Sequence, residues 1–265
     1  MKRILLTNDD GLESPGLTTL ANELLRAGCY ELRIVAPAYE QSGVGHCITL
    51  HAPLYAERVA LPNLFADAPT YRVKGTPADC VKLAITNLFP EFAPDLVISG
   101  INRGPNVGIN IFYSGTVAGA LEACINGIPA VALSLDVPAS GIWHFALAAE
   151  LSLPFIDAVV TNGLPAWTVL NVNFPNRSQT EIKGVRLTTP GRSGFKEYYV
   201  EETPVGTLRR FRLEGTMLYR DQDTSVDAVA LNENWISASM LGLSLHNEEA
   251  WRAVKDWKIF SLGQE

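Results

Sequence analysis

From Ile4 to Pro37 the chain reads ILLTNDDGLESPGLTTLANELLRAGCYELRIVAP, and this stretch decides the fold. Ile4-Leu5-Leu6 is a short unbroken apolar run, the mark of a strand covered on both faces. It stops at Asn8-Asp9-Asp10-Gly11, a turn cluster. Ser14-Pro15 then supplies an N-cap and a first helical residue, and Leu17, Leu20, Leu24 and Leu25 recur at helical spacing. Leu32-Arg33-Ile34-Val35-Ala36 is a second strand, closed by Pro37. Strand, helix and strand at this spacing make a βαβ unit, and therefore a parallel sheet.

The same alternation recurs outward. Thr76-Pro77 opens a helix carrying Val81, Leu83, Ala84 and Leu88, with Asp79 in its first turn. Residues 95–99 form a buried strand that ends in a long Gly/Asn/Pro loop, residues 100–110. Ser114 to Asn126 reads as a small-residue helix with Gly127 just past its end. Pro129 to Ser134 predicts a strand, roughly 140–160 a helix, and Trp167 to Phe174 the last strand of this layer. The expected architecture is a three-layer α/β/α, Rossmann-like sandwich with a mostly parallel sheet over residues 1–180. Beyond 181 the pattern changes: residues 183–189 and 208–220 alternate polar and apolar, which predicts antiparallel hairpins. A helix from about Glu248 to Trp257 follows. Residues 181–265 therefore read as a C-terminal extension, a hairpin arm and terminal helix, suited to subunit exchange.

Bulk composition narrows the function. Of 265 residues, 47% are hydrophobic and 18% charged, enough for a well-buried core. A net charge of -7 argues against binding nucleic-acid duplexes. It also means that an anionic substrate must be drawn in by a local positive feature, such as a metal or a helix N-terminus. Cys29, Cys47, Cys80 and Cys124 show no CxxC spacing and sit in or beside apolar runs, so buried reduced thiols are expected. Polar residues begin at Thr7, too early for a signal peptide, and the apolar stretches read as too short for a membrane helix. The expectation is a cytoplasmic protein with no membrane partner.

Ligands of open parallel sheets bind beyond the carboxyl ends of the strands. Three polar clusters lie at such ends: Asn8-Asp9-Asp10-Gly11, the segment 39–45 with Ser42, and the loop 100–106 with Asn102 and Asn106. Two adjacent carboxylates repel unless a cation intervenes. The ordinary alternative is that one caps the next helix and the other meets solvent. Adding Ser42 and Asn102, neutral oxygen donors at the same sheet edge, makes a hard-oxygen set suited to Mg²⁺ or Mn²⁺. Ser114-Gly115-Thr116 at a helix start is either a phosphate cradle or a plain N-cap. Gly75-Thr76-Pro77-Ala78-Asp79 carries the same two readings, and neither His46 nor His51 reads as a ligand.

Five segments in order resemble the survival protein SurE family: residues 7–11, Ala36-Pro37 with 41–43, residues 75–81, residues 99–106 and residues 114–117. Membership implies an α/β/α sandwich and a metal-dependent phosphomonoesterase acting on nucleoside 5′- and 3′-monophosphates. It implies one divalent metal ion per subunit (Mg²⁺ or Mn²⁺) on Asp9, Asp10, Ser42 and Asn102. It also implies that Asn106 and the Ser114-Gly115-Thr116 turn contact the substrate phosphate, with Asp9, Asp10 and Asn106 as the catalytic residues. A homodimer or homotetramer built through the C-terminal arm is implied as well. Here Ile236 to Leu241 lacks the Thr-Pro usual in the family, a departure that bears on the assembly and on substrate contacts from the C-terminal region. The competing readings are a broader phosphatase for sugar phosphates or short polyphosphate, and a nucleotide-binding protein without catalysis.

Overall fold

The computed structural model describes residues 1–138, 141–255, 257 and 259. The opening stretch folds as expected: β1 (Lys2–Thr7), α1 (Pro15–Ala27) and β2 (Tyr30–Pro37). Along β1 the side chains alternate between two cores. Ile4 and Leu6 pack with Leu17, Leu20 and Leu24 of α1, while Leu5 packs on the opposite face with Val81 and Val117. Burial on both sides is why this strand is apolar without a break.

After β2 come β3 (Ala56–Val59), β4 (Thr70–Val73) and α2 (Pro77–Leu83). Then follow β5 (Leu96–Arg103), α3 (Gly115–Ile125), β6 (Ala130–Leu135), α4 (Phe145–Asn162) and β7 (Thr168–Phe174). Helices α1 and α4 cover one face of the sheet, and α2 and α3 the other. The expected three-layer sandwich is therefore present. Short β3 and β4 escaped the sequence reading because four residues carrying Glu57, Arg58 and Arg72 leave too little apolar pattern to register.

The second half departs further from expectation. Residues 183–189 do not form a hairpin: β8 (Val185–Thr188) pairs parallel with β11 (Ile236–Gly242), and β11 pairs antiparallel with β7. The main sheet thus runs β3-β4-β2-β1-β5-β6-β7-β11-β8, and β7 is not its last strand. An alternating pattern shows that one face of a strand is exposed, but not which strand it will pair with. The hairpin that does form joins β9 (Gly194–Val205) to β10 (Leu208–Leu218) as a separate two-stranded ribbon. A short α5 (Asp227–Asn232) leads into β11, and α6 (Glu248–Val254) follows. The expected continuation of that last helix to Trp257 crosses residue 256, which lies outside the described residues.

Helix α4 overturns one expectation. At 18 residues it is long and apolar enough to cross a membrane. It is a core helix nonetheless, buried through Phe145, Ala148, Ala149, Ser152, Ile156 and Val159, and Asp157 accepts a hydrogen bond from the Tyr30 hydroxyl. The cysteines also divide. All four are unpaired thiols, but only Cys80 and Cys124 are buried; Cys29 and Cys47 sit on exposed loops.

Candidate active site

Strand order reverses between β1 and β5, since the chain leaves β1 toward β2 on one side and reaches β6 and β7 through β5 on the other. At such a switch point the loops beyond the carboxyl ends diverge and leave a crevice. The turn after β1 is folded by Asn8, whose amide donates to the Gly11 carbonyl (2.9 Å) and to Ser14 Oγ (2.7 Å). Ser14 Oγ in turn caps α1 by accepting from the Leu17 N–H (3.3 Å). Asp9 and Asp10 are left at the apex.

Two backbone links bring the other predicted residues there. The Gln41 N–H donates to the Asp9 carbonyl (2.7 Å), which draws the loop bearing Ser42 to the turn. The Arg103 N–H donates to Asp10 Oδ2 (2.9 Å), which ties down the end of β5 beside Asn102. The Ser42 hydroxyl donates to Glu40 (2.7 Å), and the Asn102 amide donates to the Gly104 carbonyl (2.8 Å). A cleft of about 510 Å³ is lined by Asp9, Ser42, Asn102, Asn106 and Ser114 together. Asp10 faces a neighbouring cleft with Arg72 and Lys74, and Arg103 lines both.

Asp9 is buried against the start of α3. The Thr116 hydroxyl donates to Asp9 Oδ1, and Gly115 lies so close that a Cβ there would fall 2.8 Å from the Asp9 Cβ. Only glycine permits this approach. Burial pushes the Asp9 carboxyl up to about 6; the Thr116 hydrogen bond pulls it down, and the Asp10 charge adds to the rise. Asp10 is also raised by burial, against the Arg103 N–H and charge. Among the described residues no Lys, Arg or His forms an ion pair with either carboxylate. Nor does any group of three or more His, Cys, Asp or Glu side chains gather.

Ser114 caps α3 by accepting from the Val117 N–H (3.0 Å), so its hydroxyl serves both the helix and the cleft. Asn106 is held from behind. Its N–H donates to Asn173 Oδ1 (2.7 Å), its amide to Ser134 Oγ (2.8 Å), and its carbonyl accepts from Asn171 (2.9 Å). The sequence reading missed this support. Its signal was Asn171 and Asn173 at alternate positions in the otherwise apolar strand VLNVNF, where a fully buried strand has no reason to carry amides. It also missed the bond from Thr116 to Asp9 and the hairpin residues that reach the cleft. Gly75–Asp79 resolves as a capped helix start: Thr76 and Asp79 exchange hydrogen bonds of 2.9 and 3.1 Å in a capping box away from the cleft.

The family model "Survival protein SurE" matches residues 4–197. A 5'-nucleotidase SurE from Geotalea daltonii is 41% identical over 261 residues, covering 97% of this chain and 100% of the relative. One from Symbiobacterium thermophilum is 40% identical, covering 98% and 99%. The crystal structure of the SurE protein from Aquifex aeolicus superposes with a TM-score of 0.80 at 34% identity, covering 97% of this chain and 99% of that one.

Proposed function

The chain belongs to the survival protein SurE family, and from that premise we propose that it is a divalent-metal-dependent phosphomonoesterase of nucleoside 5′- and 3′-monophosphates. The observation that carries this reading is the pair Asp9 and Asp10 at the switch point. Burial raises both above the ordinary aspartate value, and for Asp10 the Arg103 N–H and charge offset this only in part. Among the described residues neither has an ion-pair partner, and Asp9 lies against the first turn of α3.

That arrangement fits a hard divalent cation. Two carboxylates and the neutral oxygens of Ser42 and Asn102 match the donor preference of Mg²⁺ or Mn²⁺. The four residues would hold one such ion per subunit. Once bound, the ion supplies Lewis-acid neutralisation of charge on the phosphoryl group. The chain's own groups do the positioning. The Thr116 hydroxyl fixes one oxygen of Asp9, whose side chain lines the cleft. The start of α3 offers its dipole, and Ser114, whose Oγ accepts from the Val117 N–H, still has its hydroxyl proton for a phosphoryl oxygen. Asn106 has a second amide N–H beyond the one spent on Ser134 and adds a further donor. Its clamp on β6 and β7 keeps that donor still, which is how positioning lowers the barrier.

The same reading places the enzyme in the cytoplasm, where its four unpaired thiols are stable, and makes it a homo-oligomer through the hairpin arm.

The test is phosphate release from 5′-AMP, 3′-AMP and ribose 5-phosphate, first with EDTA and then with added Mg²⁺ or Mn²⁺. Release restored by metal and favouring the nucleotides is expected. Asp9→Asn should lose about 100-fold or more, the scale of the several kcal/mol a metal supplies, with its circular dichroism unchanged. No release with either metal, or near-wild-type turnover in a folded Asp9→Asn protein, would overturn the reading.

A further inference from the structure

The cleft has a second wall that the phosphate chemistry does not use. It comes from the hairpin, through Phe195, Glu197, Tyr199 and Leu213. The first three alternate along β9, and Leu213 is the cross-strand partner of Tyr199 on β10. Side chains alternate with period two along a strand, and paired residues share a face. All four therefore belong to one face of the ribbon, and that face looks at the catalytic floor.

The position of this wall is built in at its root. The Phe195 N–H donates to Asn110 Oδ1 (3.3 Å), and a Cβ on Gly194 would lie 2.2 Å from the Ile109 Cγ1. Ile109 and Asn110 belong to the helical turn Gly108–Tyr113, which runs straight into Ser114, the cap of α3. The ribbon face and the phosphate end of the cleft are thus held by one short segment. Yet Phe195 is 42% exposed and Tyr199 71%, an aromatic pair left open to solvent on a face aimed at a polar floor. Aromatic surface of this kind is suited to a planar partner.

We propose that Tyr199 supplies the stacking surface for the base of the nucleotide whose phosphate sits at the start of α3, with Phe195 lining the same wall about 13 Å along β9, so that the hairpin determines substrate choice. The inference rests on the nucleotidase reading and adds to it the residues that tell a nucleotide from a plain sugar phosphate. Stacking accepts any base, because every base has a π-face, so the preference is for the presence of a base rather than for its identity. Glu197, between the two rings on the same face, offers a carboxylate to the N–H groups that bases carry.

Steady-state kinetics on 5′-AMP and ribose 5-phosphate separate the possibilities, since the second substrate keeps the sugar and phosphoester but lacks the base. Tyr199→Ala should lower kcat/KM for 5′-AMP by roughly ten-fold, the scale of one base–aromatic stack, mainly through KM. Tyr199→Phe should restore it, and ribose 5-phosphate should be turned over unchanged by all three proteins. An equal loss on both substrates would mean a structural role, and no change on either would mean that the face is unused; each overturns the proposal while the nucleotidase reading stands. A wild-type protein that hydrolyses neither substrate removes that reading, and the platform with it.

Discussion

At the scale of single residues, the site turns on one carboxylate kept in an unfavourable place. Asp9 is 4% exposed, beside a second Asp, with a neutral hydroxyl as its side-chain partner. With its pKa raised from 3.8 to about 6, its contribution to metal-free stability is full below 3.8 and lost as pH rises through 6. At neutral pH the buried charge is a burden that a bound cation would relieve under the proposed function, and a protonated carboxyl does not ligate. Added Mn²⁺ should therefore raise the melting temperature by several degrees at pH 7.5 and by little at pH 5. Thermal denaturation with and without metal checks this, and equal shifts at the two pH values would contradict it. Residue types at this scale were legible in the sequence: two Asp at a strand end, then Ser and Asn. The bond from Thr116 was not, because the two residues lie 107 positions apart.

Among the elements, the loop between β2 and β3 shows how an irregular segment is made definite. It carries Ser42 and is held at three points. Thr49 bonds to Asp79 (2.7 and 2.9 Å), the Thr76 hydroxyl donates to the Cys47 carbonyl (2.7 Å), and His46 Nε2 meets Glu122 Oε2 (3.0 Å). Glu122 on α3 is buried and also pairs with Lys82 of α2 (2.7 Å). Burial pushes its carboxyl up, but the bonds from Lys82, His46 and Asn126 outweigh this and hold it below the ordinary glutamate value of 4.5. Its stabilising effect is accordingly present above 4.5 and lost as pH falls through the lower folded value. Glu122→Gln should destabilise by about 1–2 kcal/mol at pH 7, less than a fully buried pair because Lys82 is half exposed and can rehydrate. The gap between wild type and variant should close below pH 4.5, as thermal melts across pH would show. A gap that persists there would place the effect in packing instead.

Across the whole molecule, the hairpin stands apart as a separate two-stranded ribbon outside the main sheet. Two-stranded ribbons are marginal alone in water, yet this one runs 12 residues out and 11 back. Its root is tied to the Gly108–Tyr113 turn, but at its tip Val205 and Leu208 are 57% and 68% exposed. A second copy of the chain is the occupant that the exchange-arm reading supplies. Sedimentation should find the intact protein above monomer mass, and Val205→Ser with Leu208→Ser should shift it toward monomer. A monomeric intact chain at micromolar concentration would refute the assembly. Because the tip and the cleft-facing root are separate stretches of the ribbon, this pair of substitutions should spare Tyr199.

What the sequence determined by itself was local and periodic. The apolar runs of β1 and β5, the Ser14-Pro15 helix start, the Ser114 cap and the carboxylates at a strand end all follow from short-range patterning. They were enough for the parallel sandwich and for naming Asp9, Asp10, Ser42, Asn102, Asn106 and the Ser114-Gly115-Thr116 turn as candidates, but not for the residues that support them or face them from the hairpin. What tertiary structure decided was whatever depends on partners distant along the chain. It placed β8 and β11 in the main sheet, made an apolar 18-residue helix part of a core, and clamped Asn106 from β6 and β7. It also turned one face of the hairpin toward the cleft. The physical reason is that alternation and helical spacing specify which side of an element is buried. They leave open what buries it, and that is settled only when the whole chain closes.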